Sequence, residues 1–515
     1  MAAREQLEVD RHAEGSGLLA PVTDLAWDAD RAREFGARMV ALWGELLERL
    51  PTQPVGGRAT AKAVRAAVTR DVPAEPLGSD ELFASLRTIA LEHATYTGHP
   101  AFMAYITGAG TVPGAAADLL AAALNQNVGA WRLAPAATEI ELHLGRWFAS
   151  RFGFPATGGG YITSGGAMAA FTALKAARDA RAGWSVRELG ARAGPPLTMY
   201  ASSEVHDVNS RAADMLGLGR SALRVVPCDG AQRMRTDALR AAIARDVRNG
   251  QQPIAVIATA GTVATGAIDP LDEIADVCEE LGLWMHVDAA YGGGGALTEA
   301  LRPLFRGIER ADSVAFDPHK WLYTPHSGGA VVVRELRTLS DAFSLHPSYV
   351  PDDSDATGGG VDIFTLGPQF SRGFHALKIW VSLLAHGWSA YERRIAHDVA
   401  LARHLYELAE SHPELEPIGP APQLSIACFR YVPHELRGDP SAEPYLNRLN
   451  ERLVVELQRG GRVFPSNAVV DGRFAVRACI VNFRTELADV DTLIEQATVV
   501  GAALHPRRDK STSLA

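Results

Sequence analysis

Apolar and polar positions recur along this chain in two rhythms. After Asp28, the residues Phe35, Met39, Leu42, Leu46 and Leu50 return every three or four positions, the period of a helix with one apolar face. Pro51 and Pro54 stop it. Leu446, Leu449, Leu453 and Leu457 predict a second amphipathic helix over 445–458, closed by Gly460 and Gly461. Further helices are expected over 115–126, 271–282 and 391–412. Between them lie short, unbroken apolar runs that read as buried strands: 197–202, 253–259, 283–288, 313–316, 330–334, 424–431 and 474–484. Strands alternating with helices through 158–335 predict an α/β fold whose largely parallel sheet is covered on both faces. A smaller α+β domain is expected from about residue 390, while 1–22 and the tail from Pro506 lack any such pattern and are expected to be poorly ordered. The stripe on the first helix has no obvious local mate, which suits either a partner subunit or an intrachain neighbour.

Composition narrows the class. At 515 residues, 47% hydrophobic and 21% charged, the chain can bury a large core in more than one domain. A net charge of -10 argues against a nucleic-acid surface. No window has the apolar length of a membrane span, and the N-terminus lacks a secretory core. Cys228, Cys278, Cys428 and Cys479 are widely spaced with no CxxC, so neither a disulfide framework nor a metal site is expected. A cytoplasmic enzyme is the reading these features favour.

The candidate chemistry begins with a scarce residue. Lysine occurs only at 62, 175, 320, 378 and 510, among 50 basic residues. An amine can lose its proton and form a C=N bond with an aldehyde, which a guanidinium cannot do. Lys320 follows the strand 313–316 through Asp317-Pro318-His319. The strand 283–288 ends in Asp288, followed by Ala289, Ala290 and glycines that leave room for a flat ligand. Pyridoxal 5'-phosphate (PLP) needs this pair: a lysine to hold its aldehyde, and an aspartate to keep its ring nitrogen protonated. Upstream, Gly158 to Met168 reads as strand, glycine turn and helix, where backbone N–H groups can converge on an anion.

Together the two central motifs resemble the group II PLP-dependent amino-acid decarboxylases, the family of aromatic-L-amino-acid decarboxylase, over roughly residues 27–500. The resemblance implies a fold-type I PLP enzyme with a dimerisation segment over 1–105, a large PLP-binding domain over 106–389 with a mostly parallel, seven-stranded-type sheet, and a small α+β domain over 390–515. It implies a homodimer. It makes Gly165, Gly166 and Ala167 the phosphate cup, with Ser164 a weaker candidate. It makes His206 the imidazole stacked on the cofactor ring, so that Lys320, Asp288 and His206 are the catalytic set. Thr262 and His319 are expected beside the cofactor, as is Thr265. The stretches holding His99, Phe102, Tyr105 and Trp131 resemble segments that line the substrate pocket.

The implied activity is decarboxylation of an L-amino acid, with aromatic substrates favoured, to an amine and CO2. The polar, glycine-rich stretch 349–367 reads as a lid or as a slack surface loop. Relatives carry on it a tyrosine that protonates the substrate carbon, yet no tyrosine lies between Tyr349 and Tyr391. Ile363 and Phe364 are the nearest candidates for that position, and neither has a proton to give. The amine stays favoured, with His326, Tyr349 or the partner's loop as the proton source. The alternative is an aldehyde synthase releasing aldehyde, ammonia and hydrogen peroxide. Another PLP lyase or aminotransferase, and a non-catalytic binding protein, are the remaining rivals.

Overall fold

The computed structural model describes residues 25–56, 59–345 and 359–505. The expectations for 1–22, for the tail from Pro506, and for Tyr349 with most of the glycine-rich loop lie outside the described residues. Two compact units are present, one formed by 25–53 with 59–94, the other by 54–56 with 95–505.

The first unit holds three helices, Ala29–Arg49, Ala61–Val68 and Ser79–Glu92. Asp28 caps the first by accepting from the Arg31 amide, and Thr60 caps the second from Ala63. Phe35 finds a mate within the unit, its ring 5.0 Å from that of Phe83. No residue of the first helix is buried.

The second unit carries two sheets. Their strands are β1 (Phe102–Met103), β2 (Gly159–Thr163), β3 (Leu197–Ser202), β4 (Leu223–Val226), β5 (Gln252–Thr259) and β6 (Trp284–Asp288), followed by β7 (Ser313–Phe316), β8 (Gly329–Val333), β9 (Leu415–Pro417), β10 (Ile426–Tyr431), β11 (Phe464–Val470) and β12 (Arg473–Cys479). The larger sheet has seven strands in the order β2-β8-β7-β6-β5-β3-β4. Six of these run the same way and β8, between β2 and β7, runs opposite to them. β2, β3, β6, β7 and β8 are buried at every position, as unbroken apolar runs between two helical layers should be. Because the parallel strands point one way, their C-terminal ends share one edge, where ligands of such sheets bind.

The smaller sheet runs β1-β11-β12-β10-β9, backed by the helices Trp388–Ser411, Glu443–Gly460 and Leu487–Leu504. Leu446, Leu449, Leu453 and Leu457 are all buried on one face, and the helix ends at Gly461 in the left-handed region (φ 74°).

Some expected boundaries shift for identifiable reasons. The helix expected over 115–126 is Val112–Leu124, because the Thr111 hydroxyl caps it and Pro113 is tolerated in a first turn. The strand expected over 474–484 ends at Cys479. Beyond it, Asn482 Nδ2 donates to the His99 carbonyl (2.7 Å) and the Thr485 hydroxyl to the Pro100 carbonyl (2.6 Å), so the side chains here tie down a distant segment. β11 is not among the expected strands, and Pro465 lies within it. It survives because the proline sits at the strand's start, opposite the two-residue β1.

Candidate active site

The C-terminal ends of β2, β3, β5, β6 and β7, with the approach to β8, enclose a cavity of about 350 Å³. Ser164, Gly165, Gly166 and Ala167 line it after β2, and Glu204 and His206 after β3. Gly261 follows β5, Asp288 ends β6, Asp317, His319 and Lys320 follow β7, and His326 precedes β8.

Lys320 sits on a single helical turn, Pro318–Trp321. That turn is held from behind. Trp321 is fully buried, stacks on Tyr291 at 5.0 Å, and donates its indole N–H to Asp398 Oδ2 at 3.0 Å. The Tyr323 hydroxyl donates to the same oxygen at 2.6 Å, and Arg394 pairs with Asp398 at 2.8 Å. Burial pushes the Asp398 carboxyl up to about 6, against the pull of Arg394 and the two donors. With both flanking aromatics fixed, Lys320 has a defined origin, and its Nζ lies 3.0 Å from Asp317 Oδ2.

Asp288 is 5% exposed. Its carboxylate accepts from Asn209 Nδ2 (2.7 Å) and from the Ala290 amide (3.2 Å), both neutral donors. His286, two positions earlier on the same strand, brings no charge, since full burial drives its imidazole down to about 4. A carboxylate buried without a cation is costly, and here it faces a cavity. A flat pyridinium placed there would complete the pair, so these residues fit PLP.

The glycine turn opens the 16-residue helix Gly166–Arg181. The amides of Met168 and Ala169 donate to the Gly165 carbonyl, which leaves those of Gly166 and Ala167 ahead of the first intrahelical acceptor. They suit an anion; the Gly165 amide faces Thr163 Oγ1 at 3.4 Å instead. Beside the turn, His319 Nδ1 lies 2.6 Å from the Gly328 carbonyl, and its ring is 4.4 Å from that of His326. Burial holds both imidazoles below their ordinary range.

His206 is the N-cap of the helix Asp207–Met215, where its Nδ1 accepts from the Val208 amide at 3.1 Å. That bond sets the neutral tautomer, with Nε2 carrying the hydrogen, and pins the ring at the cavity wall. Glu204 lines the same wall, its carboxyl raised by burial and by the nearby Asp471.

The structure thus brings Lys320, Asp288, His206, His319, Gly165, Gly166 and Ala167 together. It does not bring Thr262. That hydroxyl is fully buried, accepts from the Ala267 amide (3.0 Å) and lies 3.2 Å from Thr265 Oγ1, closing the turn after β5. Nor do the four substrate-pocket candidates line the cavity. His99 Nδ1 accepts from Ala101, and Phe102 stacks on Phe464 at 5.5 Å within the smaller sheet. Tyr105 is exposed, and the Trp131 indole donates to Glu139 (2.9 Å). Two contributors were missed. Asn209 stands one helical turn after His206, and Asp317 stands three positions before Lys320; either spacing places the pair on one side of a turn.

A parallel-sheet edge bearing a lysine and an unpaired aspartate around one cavity defines a fold-type I PLP enzyme. Residues 62–432 match the family described as the pyridoxal-dependent decarboxylase conserved domain, and the chain belongs to that family: it is a PLP-dependent amino-acid decarboxylase. It is 32% identical over 462 residues to an aromatic-L-amino-acid decarboxylase of Bacillus atrophaeus, covering 90% of this chain and 94% of that one. It is 27% identical to a phenylacetaldehyde synthase of Arabidopsis thaliana, covering 90% and 94%. Among solved structures it is similar to Oryza sativa TDC with PLP and tryptamine, with a TM-score of 0.86 and 26% identity, covering 93% of this chain and 99% of that one.

Proposed function

We propose that this enzyme removes CO2 from an aromatic L-amino acid and releases the amine, with Lys320, Asp288 and His206 as its catalytic residues. The observation that carries the assignment is the meeting of Lys320 and Asp288 in one cavity, at the ends of the neighbouring strands β7 and β6. Bound PLP supplies an electron sink for the pair that CO2 leaves behind on the substrate carbon. Lys320 holds the cofactor and yields its place to the substrate amine. Asp288 sets a negative charge against the ring nitrogen. The amides of Gly166 and Ala167 hold the phosphate, and His206 covers the ring with a fixed plane and an N–H to offer the substrate. The aromatic preference is supported by the Bacillus relative and by the tryptamine in the Oryza structure.

The aldehyde reading has its own support. Ile363 and Phe364 are buried in the short turn Ile363–Thr365, and Phe364 stacks on Phe370 at 5.2 Å. Neither carries a hydroxyl, neither lines the cavity, and one relative is a phenylacetaldehyde synthase. The amine remains our reading because His326 and His206 put two imidazoles on the cavity wall as routes for a proton to the substrate carbon. Incubating the enzyme in air with aromatic, acidic and aliphatic amino acids, and measuring CO2, amine, ammonia and peroxide, decides it. Amine equal to CO2, fastest with an aromatic substrate, is expected; peroxide equal to CO2 would replace amine by aldehyde.

The same reading includes a cytoplasmic homodimer, with 1–105 as dimerisation segment and domains over 106–389 and 390–515. Three of the four free thiols are buried, which suits a reducing compartment. No described helix is long and apolar enough to cross a membrane. On the helix Val112–Leu124, Leu119 and Leu120 are 63% and 54% exposed, and Leu384 on the adjacent Ala376–His386 is 64% exposed. Apolar surface of that kind calls for a partner, and a second copy is the one the family resemblance supplies. Sedimentation should give twice the chain mass at working concentration; a fully active monomer would overturn the dimer.

A further inference from the structure

Asp317 has no assigned task, yet the site is built around it. Its Oδ2 is 3.0 Å from the Lys320 amine, and its side chain is 3% exposed. Gly166 makes room for it: a Cβ there would meet Asp317 before anything else, 2.8 Å from Oδ2 and 3.1 Å from Oδ1, while one on Gly329 would lie 2.8 Å from Oδ1 but closer still to the Gly165 backbone. Contacts that close force something to move, so the carboxylate and the glycine turn were fitted to each other. Among the described residues Oδ1 has no hydrogen-bond partner, which a purely structural ion pair would not leave unmet. His319 Nε2 stands 3.9 Å away, with His326 and Lys378 beyond it. Both histidines are held below their ordinary range by burial, so neither supplies a cation. Lys378 is occupied by Asp118 and the His326 carbonyl.

We propose that Asp317 is the resting counter-ion and proton relay of Lys320. An ammonium cannot add to an aldehyde, so Nζ must first lose a proton, and Asp317 is placed to take it. As nitrogen bonds to the carbonyl carbon, that proton returns from Asp317 to the carbonyl oxygen. A second nitrogen proton follows it there, the C–O bond breaks, and water leaves. The third proton stays on the C=N nitrogen, so the charge is unchanged and no co-reactant is needed. When the substrate amine takes over that carbon no water takes part: the amine adds to the C=N carbon, one of its protons passes through Asp317 to Nζ, the C–Nζ bond breaks, and the freed lysine amine returns to Asp317.

The proposal rests on Lys320 being the attachment residue, and one experiment separates the two ideas. Apoenzyme is mixed rapidly with PLP or with pyridoxal, which lacks the phosphate. Adduct formation is followed by visible absorbance, then fixed with borohydride and mapped to a peptide. Asp317→Asn, close in size and checked for fold by circular dichroism, should slow adduct formation about tenfold to a hundredfold with both aldehydes. Asp317→Glu should recover part of that rate. An unchanged rate with pyridoxal, or a loss confined to the phosphorylated aldehyde, overturns the relay and makes Asp317 part of the phosphate cup. Wild-type label on a lysine other than Lys320 refutes the attachment itself. Wild-type loading should also be slower in deuterium oxide whether or not the variant folds; equal rates in the two solvents would overturn the relay.

Discussion

Lys320→Ala and Lys320→Arg should each lose at least four decades of turnover, about 5 kcal/mol or more of transition-state stabilisation. Neither side chain can form the C=N bond that holds the cofactor and passes it to substrate. Both proteins should be colourless after dialysis, and borohydride should fix no cofactor to the peptide containing position 320. Their stabilities should part. Arginine keeps a cation against the buried Asp317 carboxylate, whereas alanine strips it of the Lys320 ion pair. Breaking a buried pair from one side typically costs about 3–5 kcal/mol, and Lys320 is partly exposed, so the lower end applies. Melting the two apoproteins beside wild type reads this directly. Residual turnover within tenfold of wild type in either variant would show that the chemistry lies elsewhere.

Much of the site was legible because it depends on where strands end. β7 spans Ser313–Phe316, as its apolar run indicates, and β3 spans Leu197–Ser202. Once neighbouring strands are parallel, residues just past their ends must be close, whatever their separation in sequence. That is why Asp288 and Lys320 could be paired from motifs alone, and why His206 and the glycine turn join them. The helical stripe of Leu446, Leu449, Leu453 and Leu457 was legible for a similar reason, since a periodic pattern names its own buried face.

What escaped depends on contacts that no local pattern carries. Phe102 belongs to a two-residue strand whose partner, β11, begins at Phe464. Nothing near residue 102 announces that pairing, so Phe102 looked available for a pocket and is spent on a sheet. Thr262 is drawn away from the cavity for a different reason. A hydroxyl after a strand-end glycine can reach a ligand or close its own turn, and here the Ala267 amide claims it. Asp317 was hidden in plain view, in a motif read for its lysine, because only packing reveals that Gly166 lies directly against its carboxylate.

Asp288→Asn should move activity and apoprotein stability in opposite directions. In wild type the carboxylate is 5% exposed and, among the described residues, is met by the neutral donors Asn209 and Ala290, with His286 kept uncharged by burial. An amide removes that uncompensated buried charge. It must also present an NH2 to one of the two donors, which forfeits a hydrogen bond worth about 1 kcal/mol. The two effects offset, so the apoprotein should melt at or above the wild-type temperature. With PLP bound the balance reverses, because wild type gains an ion pair to the ring nitrogen that the variant lacks. Stabilisation by the cofactor should therefore be smaller in Asp288→Asn, although Lys320 can still attach it. Turnover should fall by two to four decades, about 3–5 kcal/mol, since electron withdrawal through the ring is needed most when CO2 departs. Melting with and without PLP, beside kcat at saturating substrate, measures all three quantities. Turnover near wild type would remove Asp288 from its proposed place at the ring nitrogen. An apoprotein destabilised as much as the holoenzyme would mean that the carboxylate serves the fold through Asn209 and not the cofactor.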